Sequence, residues 1–585
     1  MFMTSRKKGE LELTNSNPFD NKYFLGYINH VNPQYVKVHF PSSTLLSKTF
    51  FSGEEFNGGL VGNFVTIEGE NHGFIGKISE IDLPEKERLA LSDKSFRSSD
   101  FHPTAKIEIL LIFDYFESNK ANNSFNTFPS IGSKVYVCSS SFIQKYVLRF
   151  GEKEKSDKTL FLDLGRLTSN KDTKVVVSQQ SVFSRHCAVV GTTGGGKSWT
   201  ISKLLEGISK NRTKAILLDP TGEYSTLSEL DTVESLILGE DIHFSYKNLT
   251  IEDLFFLIKP SEKTQAPKLL EAIRSLKCVR VYKENQEDQY NDYIKEFVNT
   301  DLLIKSGKNI KNFERFVYLK YKEIETGYLD FDISKLEHQI REECIWANDW
   351  ENKELFGRIN EQDFGYCLSM ITRIGNLMKT DLFNSIFNFD NSLTSDSLTD
   401  RINSFISSDS TLLRIGFENI GFEFQAREIV ANAIGKYLLN KARDKVFKED
   451  PIVLFIDEAH QFLNNSIVDD YFDTKNLSAF DQIAKESRKY GLFLCLATQM
   501  PRDIPLGTLS QMGTFLVHRL INYNDKEAVR QACSSANAAI LDFLPVLGEG
   551  EAILTGVDFS MPLSIKVNPP VIPPDSKTPV FRKMS

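Results

Sequence analysis

A glycine-rich loop that ends on lysine and serine constrains this chain of 585 residues more than any other feature. The segment Gly191-Thr192-Thr193-Gly194-Gly195-Gly196-Lys197-Ser198 fits the pattern G-x-x-x-x-G-K-[ST]. An apolar run precedes the loop and an amphipathic stretch follows it, which predicts a strand, the loop and a helix in that order. Because such loops point consecutive backbone N–H groups at phosphate oxygens, the segment predicts a nucleotide site.

Residue types within and after the loop predict how ATP and Mg²⁺ would bind. Lys197 is expected to reach the β- and γ-phosphates, and the Ser198 hydroxyl is expected to bind Mg²⁺. Trp199, the next residue along the chain, is included among the candidate nucleotide-binding residues together with every residue of the loop.

A second segment supplies the acidic groups that ATP hydrolysis needs. The apolar run Ile452–Ile456 ends on Asp457 and Glu458, as expected for a strand that is covered on both faces of a parallel sheet. We expect Asp457 to hold Mg²⁺ and Glu458 to polarise the attacking water. His460 lies two residues further on, where a packing or hydrogen-bonding role is as common as a catalytic one.

Two further apolar runs end on polar side chains. Residues 215–218 lead into Asp219, and residues 492–497 lead into Thr498 and Gln499. Because ligands of doubly wound sheets bind at the carboxyl ends of strands, these ends and the two segments above predict one site. Gln499 would then be the residue that senses the γ-phosphate.

Taken in order, these motifs resemble the HerA branch of the HerA/FtsK ring ATPases. The resemblance spans most of residues 10 to 565 and rests on Arg185–Val190, Asp219–Tyr224, Asp457–His460, Glu486–Gly491, Ala497–Gln499, Gln511–Thr514 with Arg519-Leu520, and Leu544–Ala552. It implies an ATPase that assembles as a homohexamer and threads double-stranded DNA through its pore.

The resemblance also implies roles for arginines. Arg488 matches an arginine finger that reaches the nucleotide of a neighbouring subunit, and Arg185 matches a second arginine near the nucleotide. A guanidinium in trans would stabilise the charge that develops on the γ-phosphoryl group. Arg519 competes with Arg488 for this role, and a surface salt bridge is the alternative for either residue.

The chain departs from the family pattern at two places. After the sensor strand it has Gln499-Met500-Pro501, with Arg502 displaced by two positions, so that the role of this arginine is unassigned. The stretch Asn464–Lys475 carries three aspartates and one lysine and would repel phosphate if it lined a pore.

The pattern of apolar residues predicts the domain organisation. Short β-rich segments between residues 20 and 150 indicate a small barrel that resembles the HAS barrel, and helix-like spacing between 250 and 410 indicates an inserted helical subdomain. The fold class is therefore an α/β, RecA-like P-loop ATPase core with both additions. The expected divisions are a barrel at 1–170, the core at 171–250 and 411–565, the helical insertion at 251–410, and an extended proline-rich arm at 566–585.

Composition limits the cellular setting. A net charge of -9 argues against a generally basic, DNA-coating surface, although it allows a local basic pore. The 7 cysteines include no C-x-x-C pair and indicate reduced core residues, which suits the cytoplasm. No apolar run approaches the roughly 18 residues of a membrane helix, so membrane anchoring is not expected.

Three functions fit these motifs. The first is a DNA-translocating motor. The second is an ATPase ring that serves as scaffold or regulator of a separate effector, such as a nuclease or an NAD-consuming protein in antiphage defence. The third takes Asp457-Glu458-Ala459-His460 as a DEAH-box helicase motif, which the 260 positions between Lys197 and Asp457 disfavour.

Overall fold

The computed structural model describes residues 17–33, 35–51, 54–57, 61–85, 101–115, 121–122, 127–139, 142–143, 159–169, 173–421, 425–463, 478–533, 541, 543–559 and 561–576. The chain divides into two compact units. The first unit comprises residues 1–213, 493–502 and 506–574, and the second comprises 214–492, 503–505 and 575–585.

The strands, in chain order, are β1 Phe24–Val31, β2 Val36–His39, β3 Lys48–Phe51, β4 Glu54–Asn57, β5 Phe64–Glu68, β6 His72–Asp82, β7 Thr104–Asp114, β8 Ala121–Asn122, β9 Lys134–Val137, β10 Phe161–Leu167, β11 Lys174–Ser178, β12 Cys187–Val190, β13 Lys214–Asp219, β14 Val233–Ile237, β15 Val298–Asn299, β16 Leu302–Leu303, β17 Leu412–Gly416, β18 Ile452–Ile456, β19 Leu492–Thr498, β20 Thr514–Val517, β21 Glu551–Gly556 and β22 Leu563–Val567.

The α helices, in chain order, are α1 Gln179–Phe183, α2 Lys197–Lys210, α3 Ile251–Ile258, α4 Gln265–Glu284, α5 Ile310–Leu319, α6 Tyr321–Ile324, α7 Leu336–Glu343, α8 Glu361–Lys379, α9 Asp381–Phe387, α10 Leu398–Ser407, α11 Ala426–Arg443, α12 Ala479–Glu486, α13 Leu506–Leu509 and α14 Tyr523–Ala532.

Six strands at the amino-terminal side close into a barrel. Their order around the barrel is β1, β2, β7, β6, β5 and β9, and every neighbouring pair is antiparallel. Alternate residues of the strands point inward, and the fully buried ones include Val36, Val38, Ile67 and Val135. The predicted small barrel is confirmed. Pairing of β2 with β7 closes the ring and removes the free edges that a sandwich would keep.

The first unit also contains seven strands in the order β11-β10-β22-β21-β20-β12-β19. Strand β12 is parallel to both β19 and β20, and Val190 lies opposite Thr498 on one side and Val517 on the other. These three strands are buried throughout, as expected for strands covered on both faces of a parallel sheet. The segments that leave them therefore emerge together at one edge.

The second unit has four parallel strands in the order β18-β13-β17-β14. Their register places Leu218 opposite Ile456 and Asp219 opposite Gly416, so the residues that follow β13, β17 and β18 share one edge. Between β14 and β17 the chain forms eight α helices, α3 to α10, and the short hairpin β15–β16. This segment is helical where the apolar spacing indicated helices, whereas the bounds of the subdomain stay a prediction.

The proline-rich arm begins inside β22, and its described part is bound to its own chain. The Asn568 N–H donates to the Leu164 carbonyl at 3.0 Å in the first unit, and the Asp575 N–H donates to the Glu223 carbonyl at 2.7 Å in the second. None of the 7 cysteines forms a disulfide and six of them are buried, in line with the expected reduced core residues.

Candidate functional site

The predicted strand, loop and helix are present at the phosphate loop. Strand β12 leads into the loop, and α2 starts at Lys197. Gly194 and Gly196 have φ of 72° and 105°, a backbone region that favours glycine. A Cβ added to Gly196 would lie 2.7 Å from the Gly550 Cα, so the close approach of the two backbones also requires glycine at this position.

Backbone hydrogen bonds from distant segments hold this loop. The Gly191 N–H donates to the Thr498 carbonyl at 3.2 Å, and the Gly550 N–H donates to the Gly195 carbonyl at 3.0 Å. The Arg519 carbonyl accepts from both the N–H and the hydroxyl of Thr192, at 3.0 and 3.1 Å. The loop is therefore fixed at three places: by the last residue of β19, by a residue that follows β20, and by the turn before β21.

The predicted sensor contacts the loop directly. Gln499 follows β19, and its Oε1 accepts a hydrogen bond from the Thr193 hydroxyl. Within the loop helix, Lys197 is buried, Ser198 is half-buried and Trp199 is 40% exposed. The first unit thus brings together the lysine, the serine and the glutamine that the sequence assigned to one site.

The predicted acidic pair lies in the second unit, directly after β18. The Asp457 N–H donates to the Leu218 carbonyl at 3.1 Å, and the Asp457 side chain is buried. Glu458 is also buried and has φ of 44°, which is strained for a residue with a long side chain. His460 Nδ1 lies 3.3 Å from Glu458 Oε2, so the histidine holds the carboxylate that the sequence predicts as catalytic.

Asp219 has a different environment from the acidic pair. Its carboxylate accepts from the N–H groups of Gly222 at 2.9 Å and Tyr224 at 3.1 Å, and Arg414 Nε donates to it at 2.8 Å. Both side chains of this ion pair are buried, and Arg414 also donates to Ser235 and Glu418. The segment after β13 is thus a turn that its own aspartate stabilises.

Arg488 lies far from the acidic pair of its own chain. It is exposed in a 3₁₀ turn that ends at Gly491, and the Gly491 carbonyl accepts from the Ile452 N–H at 2.9 Å at the start of β18. The acidic pair follows the other end of β18. At about 3.3 Å per residue the two ends are roughly 16 Å apart, a separation that fits action on a neighbouring subunit.

The other arginines differ in position. Arg185 precedes β12, at the end opposite the phosphate loop, and its Nε is 3.2 Å from Asp558 Oδ2. Arg519 follows β20 beside the loop, and its Nε is buried with no hydrogen-bond partner among the described residues. Arg502 pairs with Asp525 at 3.2 Å, which gives the displaced arginine a partner. The acidic stretch 464–475 lies outside the described residues.

Sequence reasoning missed three residues around these sites. His518 is fully buried against the phosphate loop, Gly550 contacts the loop backbone, and Arg414 neutralises Asp219. His518 follows the apolar strand β20, so the rule that collected the other strand ends would have found it. Arg414 could have been found from the sequence, because an arginine inside an apolar run such as β17 indicates a buried charge that needs an acidic partner.

Comparison with known families decides the assignment. A family model described as "Helicase HerA, central domain" matches residues 162–350, and one described as "Helicase HerA-like C-terminal" matches residues 445–582. The chain belongs to the HerA helicase family. Residues 457–460 lie inside the HerA-like C-terminal match, so the DEAH-box interpretation of these four residues is wrong.

Curated HerA-type relatives are similar over most of the chain. A probable helicase of Methanocaldococcus jannaschii is 23% identical over 521 residues, covering 87% of this chain and 86% of its own. The DNA double-strand break repair helicase HerA of Pyrococcus furiosus is 23% identical over 437 residues, covering 69% of each chain.

Solved structures similar to this HerA-family chain are more distant. The bacterial conjugative coupling protein TrwB is 12% identical with a TM-score of 0.42, covering 76% of this chain and 96% of its own. VirB4 of Thermoanaerobacter pseudethanolicus is 15% identical with a TM-score of 0.41, covering 70% and 96%. In the part of the HerA-family chain that the structure describes, no helix combines the length and apolar character needed to cross a bilayer.

Replacing Arg414 with leucine should destabilise the second unit, because the buried Asp219 carboxylate would lose its counter-charge. We expect the free energy of unfolding to fall by about 3–5 kcal/mol. Thermal and urea denaturation measure this change. Arg401→Leu is the matched control, since its pair with Glu234 is partly exposed and should contribute about 1 kcal/mol or less. Equal losses in the two variants would contradict the role assigned to Arg414.

Proposed function

We propose that this chain is the subunit of a homohexameric ATPase ring that translocates double-stranded DNA and works with a nuclease or other effector in DNA processing or antiphage defence. The observation that carries the proposal is the phosphate loop with Gln499 bonded to Thr193. Relatives named as DNA double-strand break repair helicases support the DNA substrate. The domain divisions and the cytoplasmic location predicted from the sequence are retained as part of the proposal.

ATP would bind at the loop and α2. Loop N–H groups and the Lys197 ammonium would contact the phosphates, and Trp199 is exposed in the first turn of the helix, where it can contact the nucleotide. The Ser198 hydroxyl and the Asp457 carboxylate are oxygen ligands of the kind Mg²⁺ prefers, so the residues fit this ion. Bound Mg²⁺ would neutralise charge on the phosphates.

The remaining residues would act on water and on the γ-phosphate. Glu458, held by His460, would accept a proton from the attacking water. Gln499 is kept against the loop by Thr193 and would report the presence of the γ-phosphate. The strained backbone at Glu458 is consistent with a side chain whose direction matters for function.

Arginines would divide between two protomers. Arg488 lies near the start of β18, whereas the acidic pair follows the end of that strand. Arg185 precedes β12, whereas the phosphate loop follows it. Because each arginine is remote from the site residues on its own strand, we assign both to the nucleotide of a neighbouring subunit. Arg519 lies beside the loop of its own chain and is assigned to its own nucleotide. Of the two candidates for the finger, position therefore favours Arg488.

Glu458→Gln should bind ATP and fail to hydrolyse it, because the carboxylate acts on water and not on the phosphates. A loss of about 10²–10⁴-fold in kcat is expected for a general base. Lys197→Ala should lose nucleotide binding itself. The measurements are equilibrium binding of ATP and the steady-state hydrolysis rate. Glu449→Gln, an exposed change ahead of β18, is the control and should behave as wild type. Normal turnover in Glu458→Gln would refute its role.

Arg488→Ala should leave ATP binding intact and inhibit wild-type subunits when the two proteins are mixed in one ring. The hydrolysis rate is measured against the fraction of variant, with Lys489→Ala, an exposed neighbour, as the control. A finger acting in trans also lets Arg488→Ala and Lys197→Ala subunits complement each other in one ring, since the first keeps an intact phosphate loop and the second supplies the arginine. Hydrolysis by the mixture of these two variants that does not exceed the sum of their separate rates would show that Arg488 does not act across the interface.

Double-stranded DNA should raise the ATPase rate if the ring is a motor. The full-length protein is assayed with linear duplex of increasing length, with single-stranded DNA of the same sequence and with Lys197→Ala as controls. We expect several-fold stimulation that depends on duplex length. A rate that duplex DNA leaves unchanged, together with stimulation by a protein purified with the ring, would favour the alternative in which the ring is a scaffold or regulator of an effector.

A further inference from the structure

A histidine that the mechanism above does not use lies directly under the phosphate loop. His518 follows β20, is fully buried, and donates its backbone N–H to the Val190 carbonyl at 2.7 Å. Val190 is the last residue before the loop. Strand β12, which leads into the loop, therefore also fixes the backbone that carries the imidazole.

The His518 side chain lies beside the loop glycines and excludes a side chain at one of them. A Cβ added to Gly191 would lie 2.5 Å from the His518 Cβ, and one added to Gly195 would lie 3.5 Å from it. A Cβ on Gly196 would meet the ring itself, with 3.5 Å to Cε1. Three of the four loop glycines thus face one side chain, which excludes a Cβ at Gly191 and would meet one at Gly195 or Gly196 at ordinary contact distance.

Both ring nitrogens are used, and their partners fix the tautomer. Nδ1 lies 2.9 Å from the Glu551 carbonyl oxygen, which can only accept, so Nδ1 carries the hydrogen. Nε2 lies 2.8 Å from the Thr200 hydroxyl in the second turn of α2 and accepts from it in the neutral ring. Burial lowers the pKa of His518 to about 4, with Lys197 adding to the effect, so the neutral ring is the form present near pH 7.

We propose that His518 is a positioning residue for phosphate binding: it joins α2 to the first residue of β21 and holds the loop in the conformation that binds ATP. The inference rests on the proposed function of this loop. Its partners act on the same segment, since Glu551 adjoins Gly550, whose N–H binds the Gly195 carbonyl. The imidazole contacts no phosphate and acts only through the loop.

The physical reason is preorganisation. A glycine-rich loop without support populates many backbone conformations. If ATP binds only one of these conformations, the apparent affinity falls in proportion to the population of that conformation. A rigid ring bonded at both nitrogens restricts that choice before ATP arrives. A histidine that served only the packing of the core would change the fraction of folded protein and leave the affinity of folded molecules unchanged.

The test separates these two roles by titration calorimetry with a non-hydrolysable ATP analogue and Mg²⁺, which reports the binding-competent fraction as stoichiometry and the affinity as Kd. His518→Phe fills the space of the ring and removes both side-chain hydrogen bonds. We expect its Kd to rise about tenfold or more, the equivalent of 1.4 kcal/mol. His518→Gln keeps one of the two hydrogen bonds and should recover part of the affinity.

Two further variants keep the result interpretable. Thr200→Val removes only the donor to Nε2 and should also weaken ATP binding. This variant provides the test if His518→Phe does not fold. His243→Phe replaces a buried histidine of the second unit, bonded to Ser395, and should leave the Kd of folded protein unchanged. In steady-state kinetics, His518→Phe should raise KM for ATP more than it lowers kcat.

A reduced stoichiometry with wild-type Kd in both His518→Phe and Thr200→Val would overturn the proposal and leave His518 as a packing residue. So would His518→Gln binding no better than His518→Phe. Lys197→Ala is measured in the same titration. If it too binds with wild-type Kd, the loop is not the ATP site and the proposed function fails. If Lys197→Ala alone loses binding, only the role of His518 fails.

Discussion

The main chain, more than its side chains, positions the phosphate loop. Its carbonyl and N–H groups are bonded to Thr498, Arg519 and Gly550, residues that lie more than three hundred positions further along the chain. Such contacts depend on strand register and on the absence of a Cβ at Gly196, and they make few demands on side chains. The site therefore forms only after the strands on both sides of β12 have been assembled.

Asp219 and Glu458 lie at the ends of neighbouring strands of the second unit, but their carboxylates have different hydrogen-bond and charge partners. Asp219 is saturated by turn N–H groups and a buried arginine, so its charge is used for structure. Glu458 is turned into a left-handed backbone conformation, with a histidine as its close partner. Carboxylates at adjacent strand ends therefore differ in their surroundings, and it is the local partners that suit Asp219 to a structural role and Glu458 to the proposed catalytic one.

Sequence alone predicted the features that are local in the chain. The loop with its strand and helix, the apolar run that ends on Asp457 and Glu458, the barrel strands and the helical stretch after β14 each follow from patterns within about twenty residues. The residues it missed, His518 and Gly550, are defined by contacts with a loop far away in sequence. Strand pairing likewise decides which site residues lie near each arginine, namely Arg185, Arg488 and Arg519. No pattern of spacing encodes which end of a strand a neighbouring subunit will face.

The separation of Arg185 and the phosphate loop by the length of β12 has a consequence for symmetry. A residue at one end of a strand can complete a pocket at the other end of an identical strand by exchange within a two-fold dimer, or through a heterologous, head-to-tail contact between successive copies. Such a heterologous contact repeats in one direction until rotation closes it into a ring, or extends into a filament when rotation does not. An isologous dimer completes its two pockets by mutual exchange, whereas in a closed ring each subunit receives an arginine from one neighbour and gives its own to another.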